Sequence, residues 1–458
     1  MLVSRFSRLA GSSRVVSRLA SSQSALIPTA PNVLETNSGV KACLMESKVT
    51  DTSLSQNLKK DVTDISLVVK AGTRFESDVS QELGLAQALK TFSMLTHDGS
   101  TILRSLGTME LLGCEYGITV TRELIIYKLS CEQQYFNDVL PFLTSALSKP
   151  RFAKWELGPT KYQAKLDSFL FSQDPVAVTV DLLHKAAFRK GLGNSLTMTE
   201  DQVDSLNPDK LLKYHELMFS PSNAFLASNN APQDLVKSHF ENFGKGEAGS
   251  KSMVKIAKSE FISDEIRSDD NTKDSVVIAI ARSSGPTNSK QAIIDSMLAH
   301  LLQGKSSSSI GQKDFLLLPL AEEHGEWAQA FQCDYSDAGM FGFLVSCQAE
   351  NATAHVNKLM ESLKSLDVSL TEDHVTIARS SHMRGVLSEL STPSAQVEHM
   401  AAQMMLGTAI GQDEYNAILN SVTKADLKKA IGDFLNAPKS MASHGNCSHV
   451  PYLEQIKC

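Results

Sequence analysis

The chain has 458 residues, 42% of them hydrophobic and 21% charged, and a net charge of −7. That is the balance of a globular protein with a full core, long enough for two or three domains. No basic stripe interleaved with aromatics is present, which excludes nucleic acid as a partner. Apolar runs such as "FLLLPLA" (315–321) are too short for a direct membrane span.

Residues 1–33 differ from the rest. They are serine-rich, carry Arg5, Arg8, Arg14 and Arg18, and no acid occurs before Glu35. Leu2, Phe6 and Leu9 fall on one side of a helix with arginines on the other. This is the composition of a mitochondrial transit peptide; a disordered basic tail is the alternative. The spacing predicts a peptide over 1–19 and a mature start near Ala20. Losing four arginines takes the net charge from −7 to −11.

After this comes a strand-like apolar run closing in "KAGTRFE" (70–76). "GLAQALKTFSML" (84–95) then reads as a helix. "MELLGCEYGITVTRELIIYKLSC" (109–131) reads as a strand pair, and "DLLHKAAFRKGLG" (181–193) as a further helix. The seven cysteines form no C-x-x-C pair, which suits free thiols in a reducing compartment. "NAT" at Asn351 and "NCS" at Asn446 match the glycosylation pattern but are discounted for a matrix protein.

The chain repeats itself once. "YKLSCEQQYFNDVLPFLTSAL" from Tyr127 and "FLVSCQAENATAHVNKLMESL" from Phe343 each read as a strand ending in Ser-Cys, a polar turn and an amphipathic helix. Cys131 and Cys347 are 216 residues apart. The same offset links "SLNPDKLLKYHELMFSP" from Ser205 to "SVTKADLKKAIGDFLNAP" from Ser421, with Asn207 and Thr423 as capping residues. "SQDPVAV" from Ser172 and "LSTPSAQV" from Leu390 mark the same break between two helices. These echoes predict an α+β fold of two homologous domains, each a mainly antiparallel sheet with helices packed on it, over 38–240 and 256–458. The polar stretch 241–255 is the linker, either a hinge or a passive tether.

In order and spacing the motifs resemble those of the pitrilysin-like metallopeptidase superfamily, and within it the mitochondrial processing peptidase subunits and the core proteins of ubiquinol–cytochrome c reductase (respiratory complex III). "KAGTRFE" resembles the family's AGSR-E strand end, and "GLAQALKTFSML" its G-L-A-H-x-x-E-H-M helix. Glu110, Gly113, Thr121, Arg122, Glu123 and Tyr127 match its strand pair, and 181–193 its L-H-x-x-A-F/Y helix. The resemblance implies a clamshell of two domains. In the family's H-x-x-E-H helix two histidines hold zinc and the glutamate takes a proton from zinc-bound water. Here those positions are Gln87, Lys90 and Thr91, and the distal acidic ligand falls near Asp167. Gln and Thr are poor zinc ligands, and an ammonium about 4 Å from a dication costs about 8 kcal/mol at an effective dielectric of ~20. The resemblance therefore marks these four as lost zinc-site positions. Asp167 reads as a solvated or capping residue, and no catalytic residue, metal or cofactor is expected. "GKSSSS" (304–309) lacks the earlier glycine of a phosphate-binding loop. It falls where the processing peptidase's non-catalytic subunit carries a long glycine-rich loop, and is short.

What the resemblance implies is a non-catalytic core subunit of complex III, peripheral on the matrix side of the inner membrane. Its partners would be core protein 1, cytochrome b, cytochrome c1 and the Rieske protein, in a dimeric complex, with a cleft able to take a peptide. The alternatives are the non-catalytic α subunit of the processing peptidase, an active metallopeptidase, and an unrelated soluble α/β enzyme.

Overall fold

A computed structural model of the chain describes residues 32–35, 40–45, 62–76, 83–92, 96–97, 100–148, 150–240, 258–270, 274–302 and 327–456. The transit-peptide expectation over 1–19, the linker 241–255 and the loop at 304–309 lie outside the described residues.

The first half contributes β1 (Asn32–Glu35), β2 (Lys41–Met45), β3 (Val62–Val69), α1 (Leu85–Phe92), α2 (Ile102–Leu111), β4 (Glu115–Val120) and β5 (Ile125–Glu132). It continues with α3 (Phe136–Ser148), α4 (Leu157–Ser172), α5 (Pro175–Phe188), α6 (Glu200–Asp204), α7 (Pro208–Met218), β6 (Ala224–Asn229) and α8 (Gln233–Phe240). The second half contributes β7 (Glu265–Asp269), β8 (Ser275–Ser284), α9 (Lys290–Leu301), β9 (Trp327–Asp334) and β10 (Gly339–Gln348). After these come α10 (Ala352–Ser369), α11 (Glu372–Glu389), α12 (Pro393–Leu406), α13 (Gln412–Ser421), α14 (Lys424–Asn436) and β11 (Lys439–Gly445).

The strands form two sheets, ordered β1-β2-β6-β3-β5-β4 and β7-β11-β8-β10-β9. Apart from the extra β1, the orders match. In each sheet one pair is parallel, β2 with β6 and β7 with β11, and the other ladders are antiparallel. The repeated strand–turn–helix is β5 into α3 and β10 into α10. The repeated caps form as well: Asn207 accepts from the Asp209 amide and Thr423 from that of Asp426.

Both central strands are buried on both faces; β8 accordingly reads as a continuous apolar run (276–281), while β3 also buries the polar Thr63, Asp64 and Ser66. Ile65, Leu67 and Val69 of β3 face the first half's own helices, in a core with Leu89, Phe92, Phe136 and Leu211. Val68 points the other way, with Cys43, Leu124, Ile126 and Phe225, and there it meets Val397, Met400, Ala401 and Ala402 of α12. The second sheet mirrors this. Val276, Ile278 and Ile280 face its own helices. Val277, Ala279 and Ala281 meet Val176, Val180, Leu183 and Ala187 of α5. Each half thus lends one helix to cover the far face of the other's sheet. Both lent helices follow the break noted in the sequence. Pro175 opens α5 with Asp174 accepting from the Val176 and Ala177 amides, and Pro393 opens α12 with Thr392 accepting from Ala395.

Candidate functional site

Helix α1 is held at its start by Glu76. Its carboxylate accepts from the amides of Gly84 (2.7 Å) and Ala86 (2.8 Å), the place where the helix dipole favours negative charge. Burial nevertheless pushes this carboxyl up to about 7, against the lowering by the two amides. Gly84 has φ +86°, and a Cβ there would sit 2.5 Å from the Met198 side chain, so only glycine suits the turn. Leu85, Ala86, Ala88, Leu89 and Phe92 pack into the core.

Gln87 is buried on this helix, and Lys90 and Thr91 are half-buried. Facing them is α4. Lys90 Nζ stands 3.8 Å from Asp167 Oδ2, and Gln163 Nε2 donates to Asp167 Oδ1 at 2.8 Å. Thr91 Oγ1 lies 3.5 Å from the Gln87 carbonyl on its own helix. The structure thus brings Lys90 and Asp167 together, with Gln87 and Thr91 on the same short helix. Asp167 is not a helix cap, and its side chain stays 27% exposed, a partly solvated group. Asp167 is mid-helix and half-buried, paired to an ammonium and an amide because α4 packs along α1.

These residues do not fit zinc. The one carboxylate that would bind it is taken up by a lysine, and Gln87 and Thr91 offer only neutral oxygens. Among the described residues no group of three or more His, Cys, Asp or Glu could hold a metal ion.

The strand-end motif has a role the sequence reading did not assign. Gly72 and Arg74 bond through their amides to the backbone of Glu123 and Arg122 (3.2 and 2.8 Å). A Cβ on Gly72 would lie 2.4 Å from the Arg122 carbonyl, which is why that position needs glycine. Arg74 then reaches across to the second half. Its guanidinium binds Glu123 at 2.7 Å and grips Asp337 with two bonds of 2.8 and 2.6 Å. Glu123 is held in turn by the amide (3.0 Å) and hydroxyl (2.6 Å) of Ser336, and Asp337 by the Ser259 amide (2.9 Å).

Arg122 anchors the loop after α5. It donates to the Leu192 carbonyl (2.9 Å) and Asp181 (2.6 Å). His184, on the same helix, bonds the Val180 carbonyl (2.7 Å) and the Tyr335 hydroxyl (2.6 Å). Burial pushes its pKa well below the ordinary value, so the ring is neutral. Lys128 of β5 pairs with Glu398 of α12. The motif residues at 70–76, 121–123 and 181–193 therefore join the two halves. In the sequence Arg74 and Glu123 showed only as motif residues, and Asp337 lies too far along the chain for any local signal.

Among the described residues, no helix is long and apolar enough to cross a membrane. The profile described as Insulinase (Peptidase family M16) matches residues 52–200, and that of the Peptidase M16 inactive domain matches 205–381. The cytochrome b-c1 complex subunit 2, mitochondrial, of Mus musculus is 26% identical over 403 residues, covering 86% of this chain and 87% of that protein. The probable mitochondrial-processing peptidase subunit alpha-2, chloroplastic/mitochondrial, of Arabidopsis thaliana is 20% identical over 401 residues, covering 86% and 80%. A chain in the structure of complex III2 from Candida albicans, Inz-5 bound, superposes with a TM-score of 0.75 at 15% identity, covering 93% of this chain and 99% of that one, and so shares its fold. With its two halves, its motif order and both profiles in agreement, this chain belongs to the M16 peptidase family.

Proposed function

We propose that this chain is a non-catalytic structural core subunit of respiratory complex III, the second core subunit, peripheral on the matrix side of the mitochondrial inner membrane. The observation that carries this reading is the similarity to the mouse complex subunit along 86% of one chain and 87% of the other. The Lys90–Asp167 pair supports the loss of catalysis, because a cation belonging to the chain stands at the acidic position a metal would need. Its work is then assembly and support: it pairs with core protein 1 and contacts cytochrome b, cytochrome c1 and the Rieske protein in a dimeric complex. Electron transfer stays with those cofactor-bearing subunits. The α subunit of the processing peptidase is the second reading, and the weaker similarity to the Arabidopsis protein leaves it behind.

The test is gentle detergent extraction of mitochondrial membranes carrying the tagged chain. Cytochrome b and the Rieske protein are expected in the same particle, with no stoichiometric zinc on this chain. Recovery as a soluble heterodimer with a zinc peptidase would overturn the assignment, and one tightly bound zinc per chain would overturn the loss of catalysis.

A further inference from the structure

Strands β4 and β5 are joined by a tight turn over Arg122 and Glu123. The Thr121 amide donates to the Leu124 carbonyl at 2.8 Å and the Leu124 amide donates back to the Thr121 hydroxyl at 2.9 Å, so these two residues occupy a hydrogen-bonded position of the ladder. The register then runs without a bulge from Val120↔Ile125 to Glu115↔Ser130. Cys114 lies just before β4, outside the paired ladder, and continuing the same register by one residue places it opposite Cys131. Bonded and non-bonded pairs alternate along an antiparallel ladder, and counting from Thr121 makes this last pair a non-bonded one. The Cys114 amide agrees, since it turns away to the Met109 carbonyl at 2.9 Å. Cys131 meanwhile sits opposite Thr63 of β3 on its other side.

Non-bonded pairs bring Cα atoms to about 4.5 Å with side chains at their closest, inside the ~4.4–6.8 Å range a disulfide spans. Both side chains lie on the core face of the sheet: Cys131 is buried, and Cys114 packs beside it half-exposed. The Cys114 thiol donates to the Leu112 carbonyl at 3.8 Å, and the two sulfurs lie close enough to shift each other's acidity. Burial raises both thiols, Cys131 to about 12; Cys114 is the half-exposed one and Cys131 the buried one, so a peroxide reaches Cys114 first.

We propose that Cys114 and Cys131 form a thiol–disulfide modification site, a cross-strand dithiol that a peroxide closes. The Cys114 thiolate attacks one peroxide oxygen, the O–O bond breaks, and hydroxide leaves to give a sulfenic acid. The Cys131 sulfur then attacks the Cys114 sulfur. The S–O bond breaks, the Cys131 proton goes to the departing hydroxyl, and water leaves. Two thiols are oxidised to one disulfide and one peroxide is reduced to two waters; a small-molecule thiol reverses it. The bond ties the first residue before edge strand β4 to the sheet interior, at the turn from α2 where Gly113 takes φ +66°.

The test uses the full chain in its isolated complex. It is treated with hydrogen peroxide, its remaining thiols are alkylated after unfolding, and it is digested without reductant. The expected result is a Cys114–Cys131 linked peptide pair, two hydrogens lighter than its parts and lost on reduction, while Cys43, Cys333, Cys347 and Cys447 return alkylated. In Cys131→Ser the link is absent and Cys114 goes on to sulfinic acid. Full recovery of alkylated Cys131 from the peroxide-treated wild type would overturn the proposal, as would Cys131 linked to any other cysteine.

Discussion

Replacing Arg74 with leucine should loosen both halves of the molecule at once. The guanidinium makes one bond to Glu123 and two to Asp337, and the Arg74 and Glu123 side chains are each only 5% exposed. Removing the arginine strands a buried carboxylate, and breaking such a pair costs about 3–5 kcal/mol. Glu123 keeps its two bonds from Ser336, which pulls the figure toward the lower end. Asp337 is 24% exposed, so its share is at most about 1 kcal/mol. The expected loss is therefore about 3 kcal/mol. Urea unfolding followed by circular dichroism measures the total, and hydrogen exchange of peptides from β5 and β10 shows where it falls. Both sheets should lose protection together, because each carries a helix from the other half. Asp337→Ala alone should cost about 1 kcal/mol. A loss below about 1 kcal/mol in Arg74→Leu, or exchange that rises in one sheet while the other stays protected, would refute the latch.

Leu183→Ala on α5 should cost about 2–5 kcal/mol and raise exchange first in β8 and β11, the sheet of the other half, since Leu183 is fully buried there; changes confined to β3 and β5 would contradict the exchanged packing. Asp167→Asn should lower the urea stability by less than about 1 kcal/mol, because the Lys90 and Asp167 side chains are 38% and 27% exposed, and a larger loss would mean the pair holds α1 to α4 more firmly than its geometry allows. His215 is held neutral, its pKa lowered to about 4 by burial while its ring nitrogen bonds the Leu147 carbonyl at 2.8 Å. An unfolded histidine titrates near 6.5, so the unfolded chain takes up the proton first on acidification. His215 therefore adds stability fully present above about 6.5 and lost as pH falls toward 4, and the wild type should lose about 3 kcal/mol more than His215→Phe over that window. Parallel pH profiles for the two proteins would show that this histidine is not the cause.

The repeat was legible because its signals are local. The Ser-Cys strand ends, the caps at Asn207 and Thr423, and the prolines that open α5 and α12 are all written within a few residues. The sheet that each helix covers was not legible. Val180 and Leu183 look the same in sequence whether they meet their own strands or those a hundred residues on. At the site, the positions 87, 90, 91 and 167 were readable from motif spacing, but the pairing of Lys90 with Asp167 depends on how α4 lies along α1. Arg74 and Glu123 were visible as motif letters. Their partners Ser336 and Asp337 were not, because that contact spans more than two hundred residues and has no periodicity to betray it.

The exchange of α5 and α12 also says something about ancestry. Two copies of one unit, each lending the same helix to its neighbour across matching sheet faces, is the arrangement of a domain-swapped homodimer with a twofold axis. Fusing the two genes would leave the swap intact and free the copies to diverge. On that view the surface between the halves is a former subunit interface. Chains cut within 241–257 should then reassemble when mixed, because each fragment carries the helix the other lacks.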